Sequence, residues 1–245
     1  MNANDWITPD WPAPSWVRAV TTTRAGGVSE GPYASLNLAA HVEDAPAVVA
    51  ENRRRLRTVL ALPAEPLWLT QVHGRGIVEA GGASPDAEGD GAVGRAAGQV
   101  CAVLTADCLP VLLCDRAGTC VAAVHAGWRG LAAGVVEAAV QAMGLPGSSL
   151  IAWLGPAIGP HAFEVGDDVR DAFVSRDPMA AEAFQPHGGR WHADLYQLAR
   201  RQLACLDIAA VSGGEWCTHT DAERFYSFRR DGRTGRMATL IWLEG

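Results

Sequence analysis

Two apolar runs, Pro110–Cys114 and Thr119–His125, are separated only by Asp115-Arg116-Ala117-Gly118. A connection this short joins antiparallel neighbours, because a parallel crossover needs about a dozen residues or more. The pair therefore reads as a β-hairpin and argues for a mixed or antiparallel sheet, not a doubly wound parallel one. With Asp115 placed opposite Gly118, Cys108 falls opposite His125 on one face, with Cβ atoms about 4.5–5.5 Å apart. That is close enough to share a metal ion or to form a thiol–imidazole pair. Pro110 is the weak point of this register, and a one-residue bulge would shift it.

Further apolar runs bounded by turn residues read as strands at Leu67–Val72, Val100–Thr105, Leu150–Leu154 and Met237–Leu243. Helices are expected over residues 45–60, 130–143 and 193–204. The first has Asp44 as N-cap, Pro46 in its first turn, and Val48, Val49, Leu56, Val59 and Leu60 on one face. The second is stopped by Gly144 and Pro146. The Gly/Ala-rich stretch 81–98 reads as a loop region with at most a short strand. No repeat and no compositional shift divides the chain, so residues 1–245 read as one domain.

Charge excludes some partners. The formal net charge is -7, which argues against nucleic-acid binding, although Arg229, Arg230, Arg233 and Arg236 form a local basic cluster. No run of about twenty apolar residues is present, so no spanning helix and no membrane partner are expected. The N-terminal segment MNANDWITPDWPAPSW lacks the basic start and apolar run of an export signal. The six cysteines contain no CxxC pair. Reduced thiols and a cytoplasmic location are the expectation.

Three motifs concentrate metal-ligand residues at the ends of apolar runs: QVHG at 71–74, TADCLPVLL at 105–113 and VHAGWRG at 124–130. His73, Cys108 and His125 make a borderline-soft set of two imidazoles and one thiolate, which suits Zn²⁺ with copper as a competitor. Three protein ligands leave a position open for water or substrate, and bound water loses a proton near neutral pH. Cys101, Cys114, Cys120 and Cys205 read as inert core thiols. His161, His187, His192 and His219 read as loop histidines, while His41, in NLAAHV, is a further candidate for the site.

In this order, QVHG, ADCLPVLL, VHAGWRG, GPAIGPHAFEVG and FYSFRRDGRTGRMATLIWL, preceded by TTTRAGGVSEGPYASLNLAAHV, resemble the YfiH-like family. That family is also called the multicopper polyphenol oxidase or laccase-domain family, and the purine nucleoside phosphorylase or peptidoglycan-editing-factor family. The resemblance runs from about Val17 to Leu243 and implies an α+β fold, a four-layer α/β/β/α sandwich with mixed sheets. It implies zinc on His73, Cys108 and His125. It also implies phosphorolysis of adenosine, inosine, guanosine and methylthioadenosine, with adenosine deamination as a second activity. The partners would be a nucleoside and phosphate; the oligomeric state is left open. Substrate-binding candidates are Arg24, Asn37, Gln71 and Arg229. Arg24 and Arg229 are preferred over Arg129 for phosphate, since a guanidinium fork pairs well with that anion.

Other classes stay open. A copper-dependent, laccase-like oxidase is one, but of the seven histidines only His73 and His125 sit in convincing ligand motifs, too few for a multicopper centre. A cysteine hydrolase or amidase that edits peptidoglycan precursors, with Cys108 as nucleophile and His125 as base, is another. A binding protein with structural zinc is a third, and it would need a fourth protein ligand.

Overall fold

The structure is a computed structural model that describes residues 6–245, which leaves the first five residues of the polar N-terminal segment outside the description. Its strands are β1 (Val17–Thr21), β2 (Ile77–Glu79), β3 (Gly91–Gly94), β4 (Val100–Thr105), β5 (Leu109–Asp115), β6 (Val121–Ala126), β7 (Leu150–Leu154), β8 (Glu164–Val165), β9 (Phe184–His187), β10 (Arg190–Ala193), β11 (Ala210–Gly213) and β12 (Met237–Leu243). Its helices are α1 (Pro46–Leu60), α2 (Trp128–Ala133), α3 (Val135–Met143), α4 (Asp167–Val174), α5 (Leu195–Cys205) and α6 (Phe228–Asp231).

The hairpin β5–β6 lies at the centre of a six-stranded sheet ordered β11-β7-β5-β6-β3-β2. Its four inner strands β7, β5, β6 and β3 are antiparallel to one another, while the edge strands β11 and β2 join in parallel. A second sheet, β1-β12-β4, is antiparallel, and a third, β8-β10-β9, is small. Every residue of β4, β5, β6 and β12 is buried, as strands covered on both faces require. Val103 and Ile241 meet Leu112 and Val121 between the two large sheets. Leu56 of α1 packs with Ala102 and Leu240 on the far face of β1-β12-β4. Val111 and Val124 pack with Ala139 of α3 and Leu198 of α5 on the far face of the six-stranded sheet.

Several local expectations are corrected. The hairpin register places Pro110, not Cys108, opposite His125. The turn is longer than expected because the Asp115 carboxylate accepts from the backbone N–H of Thr119 and Cys120 at 2.7 and 2.8 Å, and Asp115 N–H donates to Cys120 O. A two-position slip preserves the alternation of faces, so Cys108 and His125 stay on one side as diagonal neighbours. The helix expected over 130–143 begins at Trp128 and breaks at Gly134, whose φ of 89° ends α2 and starts α3. The N-cap of α1 is Ala45, with no side-chain cap; Asp44 accepts instead from the adjacent Ala45 N–H.

Leu67–Val72 does not form a ladder. Leu67 bridges to Cys101 of β4 and Thr70 to Glu88 ahead of β3, so the segment makes two isolated bridges in place of a ladder. The Gln71 amide adds to these bridges: Nε2 donates to Leu104 O at 2.9 Å and Oε1 accepts from Leu104 N–H at 2.7 Å, imitating a peptide group. Within 81–98, β3 is fully buried. A Cβ on Gly91 would come 3.0 Å from Ala123 O, so here the small residues permit close strand approach. Among the described residues, no helix is long and apolar enough to cross a membrane.

Candidate metal centre

His125 is the penultimate residue of the buried strand β6, and Cys108 immediately precedes β5. His73 sits beyond the bridged segment with φ 60°, a left-handed conformation uncommon outside glycine. The three side chains converge: one donor atom from each lies within 4.8 Å of the others. The two imidazoles meet edge to face, with centroids 4.8 Å apart and planes at 81°. Gly127 provides the space. Its φ of -63° is open to any residue, but a Cβ there would lie 2.9 Å from Cys108 Sγ and 3.4 Å from His73 Cδ2.

Asp90 is the residue that the sequence reading missed. It is buried within the Gly/Ala-rich stretch, immediately before β3. Its Oδ1 lies 2.8 Å from His125 Nδ1 and accepts the His73 N–H at 2.9 Å. Its Oδ2 accepts from Gly74 N–H at 2.7 Å, and its carbonyl accepts from His125 N–H at 2.7 Å. One carboxylate thus fixes the His125 ring, leaving Nε2 as the free nitrogen, and holds the turn that carries His73. This is the carboxylate–histidine arrangement that orients metal-binding imidazoles. Burial opposes ionisation of Asp90, but His125 and the amides of Gly74 and His73 outweigh it, so the carboxyl is held below its usual range.

The electrostatics favour the ligand form of the thiol. Burial pushes Cys108 up, yet the charge of His125 and hydrogen bonds from His125 and His73 bring it down to about 6. His125 moves the opposite way: burial lowers its pKa, and Cys108 and Asp90 raise it further. The donor set, the Gly127 space and the Asp90 brace fit a zinc-type metal. Asp107, next to Cys108, has φ 93° and anchors this corner. Its carboxylate accepts from Thr218 Oγ1 and from Arg229 N–H, both at 2.6 Å, and its carbonyl from Ile158 N–H at 2.9 Å.

The remaining candidates fall in different settings. Gln71 is committed to Leu104. Asn37 is buried and uses its amide on Ala39, Asp44 and Arg236 N–H. Arg24 donates to the carbonyls of Ala34 and Ala222 and covers Tyr226 at 4.8 Å. Arg229 donates to Glu164 O at 2.9 Å. Arg129 is exposed over Trp128, with no side-chain hydrogen bond among the described residues. Two further groups feel the charges of the ligands. Burial pushes Arg236 down while Cys108 and Asp107 pull it up. His41 is pushed down by burial and by neighbours that include Arg236, His125 and His73. Arg236 belongs to the basic cluster visible in the sequence, but nothing in its spacing pairs it with Cys108.

Residues 18–244 match the family model described as multi-copper polyphenol oxidoreductase laccase. A Pseudomonas aeruginosa protein named purine nucleoside phosphorylase is 56% identical over 98% of this chain and 99% of its own length. The Escherichia coli purine nucleoside phosphorylase YfiH is 53% identical over 97% of this chain and 98% of its own. Among solved structures, a Neisseria meningitidis protein superimposes with TM-score 0.93 at 51% identity, covering 98% of this chain and 100% of its own. YlmD from Geobacillus stearothermophilus gives 0.93 at 32% identity, covering 100% and 98%.

Proposed function

The chain belongs to the multi-copper polyphenol oxidoreductase laccase family, and from that membership and the site geometry we propose that it is a zinc-dependent purine nucleoside phosphorylase. Its substrates on this reading are adenosine, inosine, guanosine and methylthioadenosine, each with phosphate, and adenosine deamination is a second activity. One observation carries the reading: His73, Cys108 and His125 converge on one point. They do so in a chain that matches relatives named for phosphorolysis over almost its whole length.

In phosphorolysis a phosphate oxygen bonds to ribose C1′, the C1′–N9 bond breaks, and the purine leaves with a proton. Zinc, when bound, supplies Lewis-acid chemistry and activation of water for deamination. The chain's own residues do the rest. Asp90 and Gly127 keep the three ligands in position. Phosphate needs a guanidinium with free donors, and Arg129, exposed over Trp128, is the reserve candidate. Arg24 and Arg229 remain the first candidates: each spends only part of its five-donor fork on carbonyls, and the Arg229 backbone is tied to Asp107 beside Cys108.

The test is base release from adenosine or inosine, measured against phosphate concentration, with tightly bound metal counted after exhaustive dialysis. We expect one zinc per chain, release that requires phosphate, and slow formation of inosine from adenosine. His73→Ala should lose both zinc and activity, and Arg24→Ala or Arg229→Ala should weaken the phosphate dependence more than Arg129→Ala. Base release that is independent of phosphate would overturn the phosphorylase reading.

A second reading has one observation in its favour, the convergence of the Cys108 thiol with His125, whose charge and hydrogen bond draw the thiol down to about 6. A cysteine amidase would use that pair directly. It expects His73→Ala to keep appreciable activity, and thiol alkylation to inactivate metal-free protein on a peptide substrate. Multicopper chemistry draws no such support. Among the described residues, donors gather in threes at His73, Cys108 and His125 and at one other group only.

A further inference from the structure

That other group lies on the small sheet β8-β10-β9 and shares no residue with the centre above. Gly188 and Gly189 join β9 to β10 with φ of 55° and 81°. Positive φ at both positions of a two-residue loop is the hairpin turn that matches strand twist, and it fixes register tightly. His187 is thereby held opposite Arg190. Alternation brings His192 to the same face, and β8 places Glu164 opposite His192. The His187 and His192 rings stack at 3.9 Å with planes 16° apart. Donor atoms of Glu164, His187 and His192 lie within 4.8 Å of one another.

A stacked histidine pair beside a carboxylate has an ordinary reading as surface packing. Two features go beyond it. Glu164 serves two neighbours, with Oε1 3.4 Å from Arg190 and Oε2 4.0 Å from His187, so its charge is shared rather than spent on the stack. The stacked rings also cannot both carry charge cheaply at 3.9 Å. Burial, then His187 and His161, push His192 down against the pull of Glu164.

We propose that Glu164, His187 and His192 form a second, solvent-facing site for a divalent transition metal of the Zn²⁺ or Cu²⁺ type. Two imidazoles and a carboxylate match those ions and lack the thiolate of the first site. With no thiolate and with exposed ligands, the second site binds more weakly than the first. Arg190 competes with metal for Glu164.

The experiment is calorimetric titration of metal-stripped, full-length protein with Zn²⁺, alongside proton NMR of the histidine ring signals. Two classes of site are expected, with His187 and His192 signals responding in the weaker one. His187→Ala and His192→Ala should each weaken that class by about tenfold or more and leave the tight class unchanged; the tight class also reports that each variant is folded. Arg190→Ala should tighten the weak class by releasing Glu164. A single class in the wild type, or a weak class that persists in both histidine variants, overturns the proposal. So does weaker binding in Arg190→Ala. Because the readout is metal binding and not turnover, the outcome is independent of the proposed activity.

Discussion

Asp90 shows how much one side chain can decide. It accepts from His125, His73 and Gly74 at once, so it couples a strand end to a turn in the left-handed region. Asp90→Asn keeps the shape but replaces one acceptor oxygen with a donor that faces other donors. Zinc affinity is expected to fall by about 10–100-fold, read by competition with a chromophoric chelator. Unchanged affinity would show that the three ligands hold their places without the brace. Gln71 works on the same scale, with an amide standing in for a peptide group against Leu104 of β4.

At the scale of elements, the β5–β6 turn sets the height of Cys108 relative to His125. Asp115 is buried, and burial would raise its pKa, but the N–H groups of Cys120 and Thr119 hold it below the usual carboxylate range. Its stabilising effect is therefore fully present above the unfolded-state carboxylate pKa and is lost as pH falls through the depressed native value. Asp115→Ala removes hydrogen bonds to a charged group and should cost about 1.5–3 kcal/mol at neutral pH. Urea unfolding of both proteins should show that deficit shrinking in acid. A deficit constant across pH would mean that packing, not the charge, holds the turn. The α2–α3 break has the same local character: Gly134 adopts a conformation costly for other residues, so one apolar run becomes two helices.

At the scale of the molecule, the last strand is central rather than peripheral. β12 pairs with β1 from the start of the described chain and with β4 from its middle, and its inner face meets the six-stranded sheet. A chain ending at Arg236 would leave β1 and β4 without their shared partner and open both apolar layers. It should fail to fold, giving insoluble protein or no cooperative unfolding transition by circular dichroism. A soluble truncated protein with an intact thermal transition would show that the six-stranded sheet and its helices stand alone.

Local chemistry made much of this legible in advance. The short Asp115–Gly118 connection required an antiparallel pair. The uninterrupted apolar runs at Val100–Thr105 and Met237–Leu243 marked buried strands, and the three motif ends marked His73, Cys108 and His125. Faces survived the error in register because strand alternation has a period of two, and the slip was two positions. What tertiary structure alone decided depends on groups distant in sequence. The buried Asp90 lies in a stretch whose small residues read as a loop, because glycine and alanine serve a tight turn and a close strand contact equally well. The commitments of Arg24 to Ala34 and Ala222, of Asn37 to Arg236 N–H and of Arg229 to Glu164 join segments far apart in the chain or in separate loops, and arise only once the chain is folded. A side chain's type states what it can bind, but only packing settles whether its donors and acceptors are already used.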